Sequence, residues 1–327
     1  SRASTWPSKV EVNTRSPATV APPRASPGRS TSHSTSPVAA SMVVAGAGAS
    51  GSEIASAYAR FGVQVTLFEG LDRVVPGEDA DISKVVARGF KKQGIDVHTS
   101  TFVEDVESGG DQVTFRYGDA DGRADWFVIA TGRAPDVEAL GLDAAGIERD
   151  ERGLLTVDGR MRTTRDGIYA LGALVPGPAL AHKSSDEGVI AVEDAAGRPT
   201  HPIAYADIPR ATFCQPNVAS FGLTEEQARE AGYDVVIGKV PLGAVGAPTV
   251  YGDNVGLVKI VGDRTYGELL GGHVVGAKAT ELIQELGNAR AREGGYPEVA
   301  RMIHGHPTFS EAVMEAARAA DGWLIHG

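Results

Sequence analysis

The segment HGHPTFSEA, residues 304–312, places His306 directly before a proline and Glu311 five residues later. An imidazole titrates near neutral pH, and a carboxylate beside it fixes the tautomer and stabilises the imidazolium. The two residues are therefore a candidate acid/base pair. Thr308 and Glu311 also have capping-box spacing, which allows a second interpretation in which Glu311 caps the last helix and His306 has no catalytic role. On this stretch alone the helix cap is favoured.

A glycine-rich stretch, VVAGAGASGSEI, indicates a second kind of chemistry. In such a fingerprint the first glycine permits a tight turn and the second lets the backbone approach a pyrophosphate. The third glycine lets the helix pack on the strand, and the helix N-terminus faces the phosphate charge. The candidate cofactor-binding residues here are Gly46, Ala47, Gly48 and Gly51.

The elements around this stretch support a dinucleotide-binding unit. An apolar run, Met42 to Ala45, precedes it, and apolar residues follow it at helical spacing. A second strand, Val63 to Phe68, ends in Glu69, eighteen residues after Gly51, where a carboxylate can accept hydrogen bonds from both ribose hydroxyls. The same carboxylate repels a 2′-phosphate, and Arg73 is the only nearby counter-charge. The sequence therefore predicts NAD rather than NADP.

The pattern continues with a predicted helix over residues 81–93 and a strand over 96–99. Alternation in DQVTFRYG predicts antiparallel strands inserted into the α/β unit, before the apolar run WFVIATG. We expect residues 41–164 to form one domain.

Composition and net charge limit the classes of protein to which the chain can belong. Hydrophobic residues make up 42% of the 327, and no run approaches the length that a membrane span requires, so we expect a soluble protein. The net charge is −11, whereas residues 1–40 carry five cations and one carboxylate, +4, which leaves −15 for the remainder. Such a body should repel nucleic acid. A single cysteine, Cys214, excludes an internal disulfide framework and any cysteine-rich metal site, and it fits a reducing, cytoplasmic compartment.

Residues 1–40 are rich in Ser, Thr, Pro and Arg, and they have no hydrophobic period. We expect a disordered or aberrant tail. A transit peptide, which would place the protein in an organelle, is one interpretation of this composition. A flexible tail and out-of-frame translation are the others.

Ordered motifs from about residue 41 to the C-terminus resemble the pyridine nucleotide-disulfide oxidoreductases, and among them the dihydrolipoamide dehydrogenases most closely. These motifs include ATGRAP, GIYALG, LAHKSSDEG, FCQPNVASFGLTEEQA, GELLGGHVVG and HGHPTFSEA. The resemblance implies an α/β fold, with a Rossmann-like NAD-binding domain of the three-layer FAD/NAD-linked reductase type, followed by an α+β dimerisation domain over residues 205–327. Soluble pyridine nucleotide transhydrogenase is similar over the same region.

The resemblance also implies roles for single residues. Gly132 lies against the nicotinamide nucleotide, and Glu53 sits near the nicotinamide, although a first-turn acid that complements the helix dipole is an alternative for Glu53. His306 is the acid/base for a lipoamide-type substrate, Glu311 orients it, and the pair reaches the partner's active site in a homodimer. The surrounding match thus favours catalysis over the helix cap. His304 is interpreted as structural or as a surface residue. A 2-oxo acid dehydrogenase complex is a possible partner assembly.

The sequence departs from the family where FAD and the redox disulfide are expected. The family's Gly-Asp, whose aspartate holds the ribityl chain of FAD, reads Gly172-Ala173, and Ala181 is a further cofactor-binding candidate. Residues 165–204 match a segment that returns to an FAD domain, and we expect most of that domain to be missing. Cys214 is interpreted as a small buried residue.

We therefore expect a fragment or mistranslated form of a dihydrolipoamide dehydrogenase-like flavoprotein, with NAD as cofactor and FAD in doubt. A non-catalytic NAD-binding and dimerisation module is the alternative from another class.

Overall fold

The structure, a computed structural model, describes residues 40–327. The tail expected over residues 1–40 lies almost entirely outside this range. The strands are β1 (Ser41–Ala45), β2 (Gln64–Phe68), β3 (Asp96–His98), β4 (Glu104–Gly109), β5 (Gln112–Tyr117), β6 (Ala120–Ala124), β7 (Trp126–Ile129), β8 (Arg210–Thr212), β9 (Val218–Gly222), β10 (Val235–Pro241), β11 (Leu257–Asp263) and β12 (Leu269–Val275). The α-helices are α1 (Ala49–Arg60), α2 (Ala80–Lys92), α3 (Leu142–Ala145), α4 (Ala181–Ala195), α5 (Glu225–Glu230), α6 (Gly246–Tyr251), α7 (Ala279–Ala291), α8 (Tyr296–Arg301) and α9 (Glu311–Ala320).

The N-terminal half is built on a parallel sheet of four strands in the order β3-β2-β1-β7. Successive side chains of a strand point to opposite faces. Met42 and Val44 of β1 accordingly pack with helices α1 and α2, whereas Val43 packs with residues of the β4-β5-β6 sheet. The result is three layers, helices on one face and a small antiparallel sheet on the other, which confirms the predicted fold class.

The predicted antiparallel insertion is the three-stranded sheet β4-β5-β6, and the alternating DQVTFRYG forms its central strand. Phe115 of β5 is buried against Phe68 at the end of β2, with ring centroids 6.0 Å apart. The insertion therefore supports the strand that leads to Glu69.

Residues beyond β7 form a small core of their own, in which Leu155 packs with Ala170 and Val175. Met161 packs with Ile190 of α4 in a neighbouring cluster. The backbone N–H of Leu155 donates to the carbonyl of Leu174 at 2.8 Å. The packing in this region is thus continuous across residue 164.

The C-terminal part is a five-stranded antiparallel sheet in the order β10-β11-β12-β9-β8, covered by α7 and α9. Thr224 and Gln227 make a capping box at the start of α5. No helix among residues 40–327 is long and apolar enough to cross a membrane.

A buried ion cluster joins the two halves. Lys259 of β11 is 2% exposed, and its ammonium lies 2.8 Å from Asp79, 3.0 Å from Asp81 and 2.8 Å from Glu225. Burial lowers the pKa of Lys259, but the three carboxylates outweigh it, so the pKa lies above the ordinary value. We call these four residues the Lys259 cluster. Because Asp79 caps α2 and Glu225 begins α5, the cluster fixes the start of both helices on the C-terminal sheet.

Candidate dinucleotide site and acid/base pair

The glycine-rich loop between β1 and α1 contains two glycines that the fold itself requires. Gly46 has φ +99°, and a Cβ there would lie 2.6 Å from the carbonyl oxygen of Ala130. A Cβ on Gly51 would lie 1.8 Å from the carbonyl oxygen of Gly46. These two glycines therefore bring strand, turn and helix together, as the fingerprint predicted.

Gly48 is different, because the fold gives no reason for a glycine there. Its φ is −66°, which any residue adopts, and a Cβ would meet no atom within 4 Å. The open space lies at the N-terminus of α1, where backbone N–H groups and the helix dipole favour an anion. This cradle fits the pyrophosphate of NAD.

Glu69 supports the same loop. Its side chain is buried, one oxygen accepts from the N–H of Ala47 at 2.8 Å, and the other accepts from the N–H of Leu71 at 2.9 Å. A carboxylate oxygen has lone pairs for more than one donor, so these bonds leave acceptor capacity for ribose hydroxyls. The structure thus places Glu69 against the glycine loop.

Arg73, the possible counter-charge for a 2′-phosphate, is directed at other carboxylates. Its guanidinium lies 3.6 Å from Asp72 and 3.7 Å from Glu226 of α5. This arrangement gives no support to an NADP site.

The turn after β7 lies against the glycine loop, since Gly46 is in close contact with the backbone of Ala130 and Thr131. The guanidinium of Arg133 donates to the hydroxyl of Ser50, in the first turn of α1, at 3.3 Å. Gly132, between these residues, has open space where a Cβ would be. The structure therefore brings Gly132 to the edge of the candidate dinucleotide site.

The position of Glu53 contradicts one of its two interpretations, that of a first-turn acid. Helix α1 begins at Ala49 and has no acid in its first turn, so Glu53 is too far along the helix to complement its dipole. Instead, its carboxylate accepts a hydrogen bond of 2.8 Å from the N–H of Phe213, just after β8. Glu53 thus ties α1 to the C-terminal sheet.

His306 and Glu311 are brought together. Nδ1 of His306 lies 2.8 Å from Oε1 of Glu311, and Oε2 accepts from the N–H of Thr308 at 2.7 Å. Burial raises the pKa of Glu311, but the Thr308 N–H and His306 outweigh it, so the pKa lies below the ordinary value. The His306 side chain is 76% exposed, and no residue of the described chain bonds to its Nε2. Nε2 is therefore open to a partner or a substrate.

His304 has a structural position. Its Nε2 lies 2.5 Å from the carboxylate of Glu285 on α7, and its Nδ1 lies 3.2 Å from the carbonyl of Met302. The Glu285 hydrogen bond raises the pKa of His304.

Ala173 and Ala181 lie in one region, the contact between the Gly172 turn and the first turn of α4. Both backbone groups of Gly172 are held there, its N–H by Glu187 at 2.7 Å and its carbonyl by Lys183 at 2.9 Å. Ala173 and Ala181 are exposed, and neither side chain has an acceptor. The methyl of Ala173 cannot make the ribityl contact, so this part of the chain does not fit FAD.

Cys214 is 1% exposed, and its thiol donates to the carbonyl of Pro216 at 3.1 Å. Burial raises the pKa of this thiol to about 12. Such a thiol is a packing group rather than a nucleophile. Within residues 40–327 no three His, Cys, Asp or Glu side chains are grouped as a metal site would need.

Two features of the structure were not predicted from the sequence. Lys259 had a visible signal, a cation in the otherwise apolar strand LVKIV, which calls for buried partners. Val75, which contacts Ala47 of the glycine loop, had none, because its backbone has φ 42° and a β-branched residue is not expected in that conformation.

The fold and site together define a dinucleotide-binding α/β protein with a separate antiparallel C-terminal sheet. Residues 24–188 match the family model described as pyridine nucleotide-disulphide oxidoreductase, and residues 208–317 match the dimerisation domain of the same family. The chain belongs to the pyridine nucleotide-disulfide oxidoreductase family. Members of this family use FAD and NAD.

The curated relatives include dihydrolipoyl dehydrogenases. That of Mycobacterium tuberculosis is 45% identical over 292 residues, 88% of this chain and 63% of the relative. That of Corynebacterium glutamicum is 42% identical over 297 residues, 87% of this chain and 63% of the relative. The chain therefore spans about 63% of the length of these relatives.

Two solved structures superimpose well on this chain. The HOCl-induced flavoprotein disulfide reductase RclA of Escherichia coli superimposes with a TM-score of 0.80 at 29% identity, over 88% of this chain and 65% of that one. LpdA of Mycobacterium tuberculosis gives 0.80 at 29% identity, over 86% and 62%.

Proposed function

We propose that the chain binds NAD(H) and takes part in NAD-linked dithiol/disulfide electron transfer, as a dihydrolipoamide dehydrogenase-like oxidoreductase. Gly48 carries the proposal, because it is a glycine that the fold does not need, beside open space at a helix N-terminus. A close approach of the backbone to a pyrophosphate explains it. Glu69 then accepts the ribose hydroxyls, and Gly132 borders the nicotinamide end.

His306 and Glu311 form the acid/base pair of this proposal. In the overall reaction a dithiol gives two electrons and one proton to NAD as hydride and releases its second proton. Nε2 of His306 takes a proton from the substrate thiol, and the Glu311 carboxylate at Nδ1 stabilises the imidazolium. Nicotinamide supplies the hydride chemistry when it is bound.

The proposal includes a homodimer, for which the dimerisation-domain match is the support. His306 is exposed on its own protomer, which suits a side chain that serves the partner's site. Dihydrolipoamide-type substrates, assembly with a 2-oxo acid dehydrogenase complex and a cytoplasmic location are parts of the same proposal. Sedimentation at micromolar concentration tests the dimer.

A non-catalytic NAD-binding and dimerisation module is the second candidate. Ala173 and the burial of Cys214 favour it, because the described chain then holds neither a ribityl acceptor nor a reactive thiol. A transhydrogenase would have to bind NADPH, and the positions of Glu69 and Arg73 argue against that.

Binding and turnover assays on the 327-residue chain decide between these candidates. NADH binding is followed by fluorescence for the parent, Gly48→Ala and Gly188→Ala. Gly188 is the matched control, since a Cβ there also meets no atom within 4 Å. We expect Gly48→Ala to weaken NADH binding at least about tenfold and Gly188→Ala to leave it unchanged.

Dihydrolipoamide-dependent NAD reduction, with FAD added, gives the second readout. Turnover that is lost in His306→Gln supports the oxidoreductase. NADH binding without turnover supports the module. A folded parent that binds no NADH overturns both.

A further inference from the structure

Val75 has a backbone conformation that a β-branched residue rarely adopts. Its φ is 42°, in the left-handed region, yet the residue is only 2% exposed. Its side chain belongs to the same buried cluster as Ala47 and Ile82, and its carbonyl accepts from the N–H of Glu78 at 2.9 Å. Strained conformations of this kind persist only where the surrounding structure enforces them, and they are concentrated at functional sites.

The strained residue acts on the glycine loop through one hydrogen bond. The N–H of Val75 donates to the carbonyl oxygen of Ala47 at 2.8 Å, and the hydroxyl of Ser52 donates to the same oxygen at 3.0 Å. The peptide between Ala47 and Gly48 is planar, and in a trans peptide the C=O and N–H point in opposite directions. Holding the Ala47 carbonyl against Val75 therefore turns the Gly48 N–H away from Val75.

The space beside Gly48 is open, because a Cβ on this residue would meet no atom within 4 Å. We propose that Val75 is a positioning residue for the pyrophosphate of a dinucleotide: its left-handed backbone holds the Ala47 carbonyl and so presents the Gly48 N–H to the phosphate oxygens. Val75 does not touch the nucleotide in this proposal. The inference rests on the proposed NAD(H) site and adds the residue that orients it.

Met161 offers a matched control. It is also a buried hydrophobic residue in the left-handed region, with φ 64° and 3% exposure. Its N–H donates to Asp158 at 3.0 Å, and it packs with Ile190 in a cluster that contains no residue of the glycine loop. Replacing either residue by glycine relieves the strain and removes buried side-chain atoms.

The test compares Val75→Gly and Val75→Ala with Met161→Gly and Met161→Ala. NADH and ADP-ribose are the probes, because ADP-ribose keeps the pyrophosphate and lacks the nicotinamide. We expect Val75→Gly to raise both dissociation constants by about tenfold, equivalent to about 1.4 kcal/mol, because the freed loop must be ordered on binding. Val75→Ala keeps the Cβ and should act in the same direction with a smaller change. Both Met161 variants should bind as the parent does, although we expect urea unfolding to show that the loss of buried side-chain atoms destabilises them.

Each possible outcome of this test supports or overturns the inference. Equal losses for NADH and ADP-ribose in the Val75 variants alone support the inference. Parent-like binding by the folded Val75 variants overturns it, and so does a loss for NADH without a loss for ADP-ribose, or an equal loss in the Met161 variants. If Gly48→Ala abolishes binding while the Val75 variants bind normally, only this inference fails. If the parent binds neither probe, the proposed function fails with it.

Discussion

Glu311 holds His306 and the backbone of Thr308 at once, with one carboxylate oxygen on each. The distances are 2.8 Å to Nδ1 of His306 and 2.7 Å to the N–H of Thr308. Helix α9 begins at Glu311, with Ser310 as its N-cap and no capping box, so the interpretation of Thr308 and Glu311 as a helix cap is wrong. The Glu311 carboxylate instead links His306 to the backbone of the loop that precedes the helix. A change at Glu311 should therefore affect the stability of this loop and the imidazole of His306 together.

Glu311→Gln should lower the free energy of unfolding at pH 7 by about 1 to 2 kcal/mol, since a hydrogen-bonded, partly buried carboxylate is lost. Because the pKa of Glu311 is below the ordinary value in the folded state, this stabilisation is present above about pH 4.5 and is lost as the pH falls through the folded pKa. Urea unfolding at pH 7 and pH 3.5 should show the difference from the parent shrinking in acid.

Glu298→Gln is the control for this experiment. Glu298 accepts from the N–H of Gly295 at 2.8 Å at the start of α8, so it is a carboxylate that also binds a backbone N–H but has no histidine partner. Only Glu311→Gln should shift the imidazole resonances of His306 in an NMR spectrum. An equal shift in both variants would contradict the pairing.

Nucleotide preference provides a second prediction. The parent should bind NADH more tightly than NADPH, because the buried Glu69 carboxylate repels a 2′-phosphate. Glu69→Gln removes that charge and should bring the affinities for NADH and NADPH closer together, chiefly by weakening NADH binding. Arg73→Ala should leave the ratio unchanged, since Arg73 faces Asp72 and Glu226. Equal affinities in the parent, or a selective loss of NADPH in Arg73→Ala, would remove the role given to Glu69.

The Lys259 cluster leads to a prediction on stability. Lys259→Met leaves three carboxylates close together without their buried cation, so unfolding at pH 7 should become easier by about 3 to 5 kcal/mol. Lys239→Met is the control, because Lys239 contacts the same Asp81 at 3.3 Å from a half-exposed position, and its loss should matter by less than about 1 kcal/mol.

Measuring the destabilisation by Lys259→Met in acid distinguishes charge repulsion from a simple packing defect. The pKa values of Asp79, Asp81 and Glu225 lie below the ordinary range, because hydrogen bonds from Lys259 outweigh burial. In the variant the cation is gone, so burial and mutual repulsion raise the pKa values of these carboxyl groups. Protonation then removes the repulsion as the pH falls, and the effect of Lys259→Met should diminish in acid. An effect that is the same at pH 7 and in acid would mean that lost packing dominates.

Cys214 should be unreactive while the chain is folded. Its pKa of about 12 leaves almost no thiolate at pH 8, and burial excludes a reagent. A thiol reagent such as DTNB should therefore label the chain only after urea unfolds it. Rapid labelling of the native protein would mean that the region after β8 opens readily.

Much of the candidate site could be predicted because it is local in sequence. Gly46 and Gly51 lie in one short loop that a local pattern identifies, and Glu69, at the end of the next strand, contacts that loop. His306 and Glu311 are separated by five positions and meet as expected.

The features that could not be predicted depend on contacts between distant parts of the chain or on the backbone conformation. Lys259 meets Asp79 across 180 positions, so their pairing follows from the fold and from no local pattern. The hydrogen bond from the N–H of Phe213 to Glu53 could not be predicted, because the two residues are 160 positions apart. Val75 could not be found, because its role lies in a backbone angle that its side chain disfavours.

The Lys259 cluster also bears on how this chain can be divided. The two family matches end and begin at residues 188 and 208, which suggests a natural place to cut. A cut there would leave Asp79 and Asp81 on one piece and their buried cation on the other. Each piece would expose a surface carrying uncompensated charge, so the regions that sequence matching treats as separate modules should be produced and refolded as one polypeptide.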